Sequence, residues 1–542
     1  MNNRKPRILW VCESPSLNTG YSVYTRNVLT HLAKSGKFEI AQLACHTQDD
    51  SPYINDYPWK IYPAEPSKNS PARPEFDSVQ VNAFGAWRFE RTCISFLPDF
   101  VVDIRDWWAV EFQRRSPFFD LFYWAQMPTI DSAPQHKQWL ETYSKADQLF
   151  TYTDWGADVL KDQMGPINPI SVPPVASPEY KPLNKKALKA KYGLSDCVVF
   201  GFVARNQKRK LFPSLFEAFS KFCDANPETP ARILCHTSYP DAGWDIQAML
   251  KTKHAEKILF TYRCNSCNNF SVKPFQAMVS QCSHCRNISC SLCNVERGIS
   301  DEDLAQVYNL MDVYVHTCTN EGFGMPIVEA AACGVAVAAT DYSAPEDILN
   351  KLNGDKIKPA ALSKEVETGT DKAYLSPESI IEIFTKYTNL PNELVWRKGY
   401  ETRRLFERHY ESWETTVSKW ENYFLSKPLR PFSETWMSAP RVHQYPHQIP
   451  QFGNAYDASI WLITDVLGQR DMLYSYFHAK LIRDLSLGIR RNQIGNEYFH
   501  EYPMVQMSHD NFNIEAAYDA IKGRRDFINQ CEIERFNAYR RN

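Results

Sequence analysis

Two glutamates near the middle of the chain have the type and spacing to hold two parts of one ligand. Glu321 and Glu329 stand eight positions apart in the stretch TCTNEGFGMPIVEAAACGVAVAAT, residues 317–340. Neighbours on a helix surface are three or four positions apart, so these two carboxylates do not pair with each other. Each can therefore meet a different group of the same bound molecule.

The residues around the glutamates predict a strand, a loop and a helix. The stretch Asp312–His316 alternates apolar residues as a strand does, and Pro326 suits the first helical position. Gly322, Phe323 and Gly324 then lie in the loop at the N-terminal end of the helix, where free backbone N–H groups favour phosphate. The pattern predicts a site for a nucleotide diphosphate. The alternative is a buried β-α-β unit whose glutamates only cap the helix or face solvent.

A dense basic loop follows a buried strand earlier in the chain. The strand is Cys197–Val203, and Arg205, Lys208, Arg209 and Lys210 place four cations within six residues. Ligands of α/β sheets bind at the carboxyl ends of the strands. The loop therefore predicts an anion site, with a solvated basic loop as the alternative.

The E-x7-E pattern, with Gly-Met-Pro and Ala-Ala-Cys-Gly beside it, resembles family 4 of the retaining glycosyltransferases, which have the GT-B fold. The resemblance implies that Glu329 binds the ribose of a nucleotide sugar and that Glu321 contacts the sugar at its reacting end. Arg205 and Lys210 match the Arg and Lys that hold the donor diphosphate in that family. We therefore expect both to be catalytic.

The resemblance also implies the reaction. A sugar moves from a nucleotide sugar of the UDP or GDP type to an acceptor hydroxyl with retention, and the leaving diphosphate takes the acceptor's proton. The chain contains a D-x-D run at Asp301–Asp303, which metal-dependent glycosyltransferases use. Ser300 precedes Asp303 by three residues, which is a helix-capping pattern, so no catalytic Mg²⁺ or Mn²⁺ is expected.

Two further loops are expected where the donor binds. The loop after Thr340 contains Ser343, which we expect to touch the base or the ribose. The loop after the first strand, Arg7–Cys12, ends at Gly20, and the resemblance implies that this loop faces the donor phosphates or the acceptor. The alternative for Gly20 is a tight turn that needs a positive φ.

Two aspartates are candidate acceptor-side carboxylates. Asp106 follows the predicted strand Phe96–Ile104, and Asp131 follows the predicted strand Leu121–Gln126, so both lie near the carboxyl edge of the first sheet. The alternatives are that Asp106 pairs with Arg105 or another nearby arginine and that Asp131 only initiates a turn.

A cysteine-rich insertion, residues 263–298, departs from the short loop of the family. Its first two C-x2-C pairs have the spacing of a zinc ribbon, in which four thiolates close a tetrahedron and leave no open position: Cys264, Cys267, Cys282 and Cys285. The sequence predicts a structural zinc site. A third pair, Cys290 and Cys293, replaces one of the others, shares a second ion or stays as free thiols; we favour the first four ligands.

Composition limits the class of protein. The chain has 542 residues, more than one hydrophobic core usually supports, and a net charge of −2, which gives no overall attraction to nucleic acid. There is no stretch of about 18 uninterrupted apolar residues, as a spanning helix would need. Fifteen cysteines, six of them in C-x2-C pairs, indicate a reduced metalloprotein. We expect a cytoplasmic protein with no membrane span.

The expected fold class is α/β, with the two Rossmann-like domains of GT-B facing a cleft. The predicted boundaries are 1–170 for the acceptor-side domain, 171–184 for a linker, 185–395 for the nucleotide-sugar domain, 396–425 for a helix that crosses back, and 437–542 for a mostly helical appendage. The appendage has two groups of basic residues, which form a solvated face or a nucleic-acid contact: Lys480, Arg483, Arg490 and Arg491 on one helix, and Lys522, Arg524, Arg525, Arg540 and Arg541 near the end.

The acceptor is the least determined part of this interpretation. A zinc ribbon beside an EGFGMP motif resembles glycosyltransferases of large phages and viruses, which implies a hydroxylated base in double-stranded phage DNA and the host cytoplasm. Protein, lipopolysaccharide, small glycans and a catalytically silent binding module are the alternatives. We expect Lys273, Phe275 and Arg286 of the insertion to be exposed and to present a large acceptor, unless the insertion is only a staple.

Overall fold

The computed structural model describes residues 4–17, 19–251, 253–276, 279–294, 297–410, 412–470 and 514–540. The chain forms two compact units. The first unit contains the described residues of Met1–Pro128, Lys137–Phe150 and Val417–Asn542, and the second contains those of Thr129–His136 and Thr151–Thr416.

The first sheet has seven strands in the order β3-β2-β1-β4-β5-β6-β7. Its strands are β1 Arg7–Glu13, β2 Glu39–Gln48, β3 Lys60–Glu65, β4 Phe100–Asp103, β5 Tyr123–Gln126, β6 Gln148–Thr151 and β7 Ile170–Ser171. The pairs from β3 through β6 are parallel. Residues Ile8–Cys12 of β1 are fully buried, because a parallel sheet covered on both faces needs a continuous apolar run.

The first part of the chain also contains five helices. They are α1 Gly20–Ser35, α2 Arg73–Asp77, α3 Phe89–Phe96, α4 Trp107–Arg114 and α5 Lys137–Tyr143. The helix α1 begins after Thr19, whose side chain accepts a hydrogen bond from the Ser22 N–H, and ends at Gly36 in the left-handed region.

The second sheet has nine strands, in the order β12-β13-β10-β9-β8-β14-β15-β16, with β11 paired to β10. Its strands are β8 Val198–Val203, β9 Ala231–His236, β10 Ile258–Cys264, β11 Phe270–Pro274, β12 Ser280–Gln281, β13 Ile288–Leu292, β14 Val313–His316, β15 Ala336–Thr340 and β16 Asp355–Ile357. A separate hairpin pairs β17 Ala361–Lys364 with β18 Asp371–Tyr374. The α/β class with parallel sheets is thereby confirmed.

The cysteine-rich insertion is an antiparallel extension of this sheet. The strands β8, β9 and β10 pair in parallel, whereas β11 and β13 both pair antiparallel with β10. Because β10 runs past the edge of the parallel part, the insertion starts at the carboxyl edge of the sheet.

Ten α-helices lie among the described residues from 154 to 426, and the last of them belongs to the first unit from Val417 onward. They are α6 Asp154–Met164, α7 Lys185–Lys191, α8 Phe212–Ala225, α9 Ile246–Met249, α10 Asp301–Leu310, α11 Met325–Ala332, α12 Ala344–Leu352, α13 Pro377–Thr388, α14 Asn392–His409 and α15 Trp413–Ser426. Ser300 caps α10 by accepting a hydrogen bond from the Asp303 N–H at 3.2 Å, which confirms the capping interpretation of the D-x-D run.

Two local expectations differ from the structure. The pattern Trp396–Phe424 forms two helices, α14 and α15, because Tyr410 leaves the helical region with φ −128° and ψ 51°. Residues 151–170, which we expected in the first domain, belong to the second unit. There, Lys351 of α12 pairs with Asp154 of α6 at 2.8 Å.

The described C-terminal residues contain the short helix α16, Ala455–Trp461, a π-helical turn at Leu462–Val466, and the long helix α17, Ile514–Arg540. Ile521 and Ile528 of α17 pack with Leu462 and Val466 in a small apolar cluster. Residues 471–513 lie outside the described residues, and with them the basic cluster from Lys480 to Arg491.

The C-terminal residues also complete the core of the first unit. Trp436 and Cys531 belong to the apolar cluster that contains Leu9 and Val101 of the first sheet. Arg535, which is 1% exposed, donates hydrogen bonds to the carbonyl groups of Trp436 and Ser438 at 2.6 and 3.1 Å.

All fifteen cysteines lie in the described residues, and none of them forms a disulfide there. Among the helices in the described ranges, none is long and apolar enough to cross a membrane.

Candidate active site

Glu321 lies in the loop between β14 and α11, at the N-terminal end of that helix. Gly324 is the residue before the helix and has φ +105°, a conformation that favours glycine. Pro326 lies one position later than expected, since α11 begins at Met325. The loop therefore presents its backbone at the end of α11 where anions are favoured.

Gly322 is required by a close approach. A β-carbon at this position would lie 2.2 Å from Cγ2 of Thr129, well inside contact distance. Thr129 belongs to the short segment 129–136 that joins the second unit. Any side chain at position 322 would thus push the loop away from this segment.

The carboxylate of Glu321 is buried and surrounded by basic side chains. Its side chain is 6% exposed. Oε1 contacts Nζ of Lys210 and lies 3.0 Å from Nε2 of His316, and Oε2 lies 2.6 Å from Nη1 of Arg209. A buried carboxylate needs such partners, because losing water is costly for a charge.

Burial changes the pKa values of two basic side chains that contact Glu321, Lys210 and His316. Burial lowers the pKa of Lys210, the positive charge of Arg209 lowers it further, and the contact with Glu321 favours the ammonium form. Burial, Lys210 and Arg209 also lower the pKa of His316 well below its usual value, so the ring is neutral. A neutral ring has one N–H, which points either to Glu321 or to the Tyr314 hydroxyl oxygen, 2.8 Å from Nδ1.

His316, Cys318 and Glu321 place three possible metal-ligand atoms within 4.8 Å of one another. Two cations already balance the Glu321 carboxylate, and burial raises the pKa of Cys318, which keeps it a thiol. This donor set does not fit a divalent ion, since a metal would compete with Lys210 and Arg209 for the same oxygens.

Arg205 lies in the same basic loop but has another partner. Its Nη2 and Nε lie 3.1 and 3.2 Å from the carboxylate of Asp241, and its side chain is 52% exposed. Arg209 instead reaches Glu321. The spacing of the basic residues could not reveal this difference, because a 3-10 turn at Lys208–Lys210 and the positive φ of Leu211, +36°, set the directions of the side chains.

Glu329 lies on α11, and its carboxyl group changes its charge near neutral pH. Tyr308 donates a hydrogen bond to Oε2 at 2.6 Å. Burial raises the pKa of Glu329 to about 7, against the opposite effect of the Tyr308 hydrogen bond, and Asp301 raises it further. The carboxyl group can therefore accept or donate a hydrogen bond depending on pH.

Ser343 supports the loop of Glu321. Its Oγ accepts a hydrogen bond from the Glu321 N–H at 3.0 Å, and it is fully buried. It has φ +58° and ψ −148°, a strained conformation that non-glycine residues rarely adopt. Phe323 is buried as well and packs edge-to-face on Tyr410, with ring centroids 6.1 Å apart.

The segment 129–136 brings Asp131 beside the loop that contains Asn320 and Glu321. Its Oδ2 accepts a hydrogen bond from Nδ2 of Asn320, the residue before Glu321, and its Oδ1 accepts one from Ser132 at 2.8 Å. The position of this segment in the second unit could not be foreseen, because its flanking residues belong to the first.

Asp106 and Gly20 lie in the first unit. Asp106 is the residue before α4, and Arg105 pairs with Asp103 at the end of β4. Gly20 is the first residue of α1, is exposed and does not have a positive φ. The tight-turn alternative for Gly20 is therefore wrong.

The first four cysteines of the insertion converge. Their sulfur atoms all lie within 4.8 Å of one another, with Cys264 and Cys285 at 3.5 Å and Cys267 and Cys282 at 3.7 Å. Four thiolates about 2.3 Å from a central zinc would be about 3.8 Å apart in a tetrahedron. The donor set and its spacing thus fit a zinc ion with four sulfur ligands.

Each of the first two C-x2-C pairs lies in the turn of a hairpin. The N–H groups of Ser266 and His284 donate to the sulfurs of Cys264 and Cys282 at 3.4 and 3.3 Å. Although burial raises it, hydrogen bonds from Ser289 and from backbone N–H groups lower the pKa of Cys264 to about 5. Such N–H donors stabilise the thiolate that a metal needs.

Cys290 and Cys293 are not part of this four-sulfur group. Burial raises the pKa of each to about 12, and a hydrogen bond with Cys282 adds to the effect at Cys290. The backbone carbonyl of Cys293 accepts a hydrogen bond from the Tyr239 N–H at 3.1 Å, two residues before Asp241. The insertion is thereby joined to the loop that holds Arg205.

The expected surface of the insertion is only partly present. Arg286 is exposed, with φ +66°. Phe275 is wrongly predicted as exposed: it packs on Phe260 and Tyr239, with ring centroids 5.8 and 6.1 Å apart. Lys273 is half-buried and donates to Ser280 at 2.6 Å.

Residues 293–375 match the family model described as glycosyl transferases group 1. This stretch contains Glu321, Glu329 and Ser343. None of the curated proteins matches the chain. The family match therefore covers the part of the second unit that contains the loop Glu321–Gly324.

Solved structures share the fold. Sucrose-phosphate synthase from Thermosynechococcus elongatus is 14% identical with a TM-score of 0.57, over 78% of this chain and 98% of that chain. Anabaena Alr3699/HepE in complex with UDP and glucose is 13% identical with a TM-score of 0.52, over 78% and 100%. WaaG, a glycosyltransferase involved in lipopolysaccharide biosynthesis, is 11% identical with a TM-score of 0.50, over 78% and 100%.

At these identities the likeness shows the fold, which is that of the GT-B glycosyltransferases. The group 1 match and the shared fold together support a nucleotide-sugar glycosyltransferase similar to family 4.

Proposed function

We propose that the chain is a retaining glycosyltransferase that moves a sugar from a UDP- or GDP-type nucleotide sugar to an acceptor hydroxyl. The observation that carries the proposal is the buried Glu321 carboxylate, held by Lys210 and Arg209 at the N-terminal end of α11. The structure of Alr3699/HepE with UDP and glucose supports a donor of the UDP type.

The basic loop and the end of α11 act on the leaving group. As the bond between the sugar and the diphosphate breaks, negative charge grows on the phosphate oxygens. Lys210, Arg205 and the N–H groups near Gly322 and Gly324 stabilise that charge, and one such donor typically contributes about 2.7–4 kcal/mol. Glu321 contacts the sugar at its reacting end and is kept in place by Ser343.

The proton and the bonds balance within the donor and acceptor. The acceptor oxygen bonds to the anomeric carbon on the face that the diphosphate leaves, which gives retention. The acceptor's proton passes to the departing diphosphate. No protein base is then required, which agrees with a Glu321 carboxylate that is already occupied by cations.

Arg209 and Arg205 should respond differently to substitution. We expect Arg209→Gln to lower turnover more than donor affinity, because Arg209 contacts the Glu321 carboxylate, whereas Arg205 is exposed and pairs with Asp241. Arg205→Gln should mainly weaken donor binding, by roughly ten-fold or more, since it removes one charged hydrogen-bond donor. Kinetics and calorimetry on both variants check this; equal changes in turnover and affinity for the two would contradict it.

Glu329 should make donor binding depend on pH. We expect the donor to bind more weakly as the pH falls through about 7, since the protonated carboxyl loses an acceptor for the ribose hydroxyls. Glu329→Gln should bind the donor more weakly above that pH and lose the pH dependence. Calorimetry at pH values below and above 7 measures both, with the exposed Glu302→Gln as the control. Parallel pH profiles for the wild type and Glu329→Gln would remove the ribose assignment.

The same carboxyl group provides a second measurement. Its pKa rises from 4.5 to about 7 on folding, so the folded chain binds the proton more tightly. The contribution of Glu329 to stability is therefore greatest below pH 4.5 and falls as the pH rises from there to about 7. Glu329→Gln should lack this part of the pH dependence of unfolding.

For the acceptor we propose a hydroxylated base in double-stranded phage DNA, with residues 1–170 on the acceptor side and Asp106 and Asp131 as its carboxylates. The proposal is supported by the four-sulfur group, which precedes the loop Glu321–Gly324 in the sequence, and by the exposed Arg286. WaaG acts in lipopolysaccharide biosynthesis, which makes a glycan the main alternative.

The test is hydrolysis and transfer over a panel of sugar nucleotides, with hydroxymethylated DNA, unmodified DNA and glycans as acceptors. Transfer to the hydroxymethylated duplex alone supports the full proposal. Hydrolysis without transfer to DNA keeps the glycosyltransferase and rejects this acceptor. Donor binding with neither hydrolysis nor transfer would reject the enzyme.

A further inference from the structure

A histidine that the proposed reaction does not use lies farther along the carboxyl edge of the second sheet. His236 is the last residue of β9 and is paired in register with Val203, the last residue of β8. On the other side of β8, Tyr314 of β14 is paired with Gly201. Two residues further along both strands, His316 comes level with Val203. His316, Val203 and His236 therefore form a row across three neighbouring strands.

The row begins at the proposed sugar end of the donor site and leads away from it. Nε2 of His316 lies 3.0 Å from Oε1 of Glu321. Neighbouring strands are about 4.8 Å apart, so the backbone of His236, two strands away, lies about 10 Å from that of His316. A diphosphate and a ribose together can span such a distance.

The proposed ribose partner lies near the middle of this row. The Tyr314 hydroxyl donates a hydrogen bond at 3.0 Å to the backbone carbonyl of the middle residue. The rings of Tyr314 and Tyr308 meet edge-to-face with centroids 6.0 Å apart, and Tyr308 donates to Glu329. Glu321, Glu329 and His236 thus follow one another along the edge. A nucleotide sugar carries its sugar, its ribose and its base in the same order.

The side chain of His236 lies on the same face of the sheet as that of His316. Cys235 and Val315, the residues that precede the two histidines, both belong to the apolar cluster on the opposite face. Successive residues of a strand point to opposite faces, so both histidines point away from that cluster. The row therefore presents both rings on one side of the sheet.

The ring of His236 is neutral and has a buried nitrogen with no hydrogen-bond partner. Burial lowers its pKa to about 4, and no charge of a described side chain contributes to that shift. The buried nitrogen is Nδ1, whereas the side chain as a whole is partly exposed. A neutral imidazole has one N–H, and a buried N–H without an acceptor is rare in folded proteins. The hydrogen is therefore carried by Nε2, the nitrogen that a ligand can reach.

Two hydroxyl groups beside His236 also have no hydrogen-bond partner. They are Oγ1 of Thr237, the next residue, and Oγ1 of Thr261 on β10. Thr261 and His236 each follow a residue of the paired positions Phe260 and Cys235, so they lie side by side. Buried polar groups are nearly always hydrogen-bonded, so three unpaired atoms at the ends of two strands are unusual. They make this end of the row polar but uncharged.

We propose that Nε2–H of His236 binds a carbonyl oxygen of the donor's base and selects bases that carry one. The inference rests on the proposed nucleotide-sugar function. A neutral N–H suits a carbonyl oxygen, whereas a phosphate is held better by a charged donor such as Lys210. Uracil and guanine each carry a carbonyl group, and adenine carries none. The chain should therefore prefer UDP or GDP to ADP.

The test is calorimetric titration of the full chain with UDP, GDP, ADP and inorganic pyrophosphate. His236→Leu should weaken binding of the preferred nucleotide by roughly five- to ten-fold, because one hydrogen bond is lost, and should remove the preference over ADP. Its affinity for pyrophosphate should not change, since pyrophosphate has no base. His236→Gln keeps an N–H donor and should restore part of the nucleotide affinity.

The matched control is His409→Leu, at the exposed end of α14, which should leave every affinity unchanged. The inference fails if His236→Leu binds the preferred nucleotide as the wild type does, or if it loses affinity for pyrophosphate to the same extent. A wild type that prefers ADP would also overturn it. If His236→Leu does not fold, as judged by its unfolding temperature, His236→Phe is the second variant and the same loss is expected. Failure of all three nucleotides to bind would instead reject the nucleotide-sugar function, and this inference with it.

Discussion

Lys210→Met should lower turnover by a factor of about 10²–10³, the loss typical of removing one preorganised donor to developing negative charge. The methionine keeps most of the length of the side chain but removes the ammonium group that contacts Glu321. Arg209 and His316 still face the carboxylate, so Glu321 does not become an isolated buried charge. Steady-state kinetics at saturating donor measures the effect.

The control is Lys208→Met, two positions away in the same loop. Lys208 is exposed, and among the described residues its side chain makes no ion pair. We expect its turnover to stay close to that of the wild type. If Lys208→Met proves the more damaging change, the register of the basic loop must be revised. Unfolding temperatures of both variants show whether lost stability accounts for the result.

Cys264→Ser with Cys282→Ser should abolish zinc binding and loosen the insertion. Each change removes one ligand from a different hairpin turn, and structural zinc contributes about 10–16 kcal/mol of binding free energy in small zinc domains. Hydrogen exchange should rise in β11, β12 and β13, while the buried strands β8 and β14 stay protected. Metal analysis and hydrogen-exchange mass spectrometry measure the two effects.

Cys290→Ser with Cys293→Ser is the matched control, because those sulfurs lie outside the four-sulfur group. It should keep one zinc per chain and normal protection. Loss of zinc in this control, with zinc kept in the first variant, would transfer the ligand role to the third pair.

The sequence was most informative where one strand or one loop determined the structure. Apolar runs such as RILWVC indicated buried strands, and the Rossmann-like domains implied by the resemblance predicted the parallel sheets. The glycines around Glu321 predicted a loop at a helix end, because few other residues tolerate φ +105° at Gly324 or the contact at Gly322. Each of these constraints acts within a few residues of the chain, so the sequence alone reveals it.

The partners of charged residues could not be predicted in the same way. Arg209 and Arg205 are four positions apart in one loop, yet one meets Glu321 and the other Asp241. The choice depends on the turn at Lys208–Lys210 and on a loop from a different strand. Asp131 similarly reaches Asn320 across 189 positions of sequence.

The contact of the C-terminal helix with the first sheet affects the order in which the chain can fold during synthesis. Every described residue of the second unit lies between positions 129 and 416, so that unit can be completed while later residues are still being made. The core of the first unit includes Trp436 and Cys531, and Arg535 closes over the Trp436 carbonyl. On the ribosome, the core of the first unit must therefore wait for residues as late as Arg535, and it is completed after the second unit.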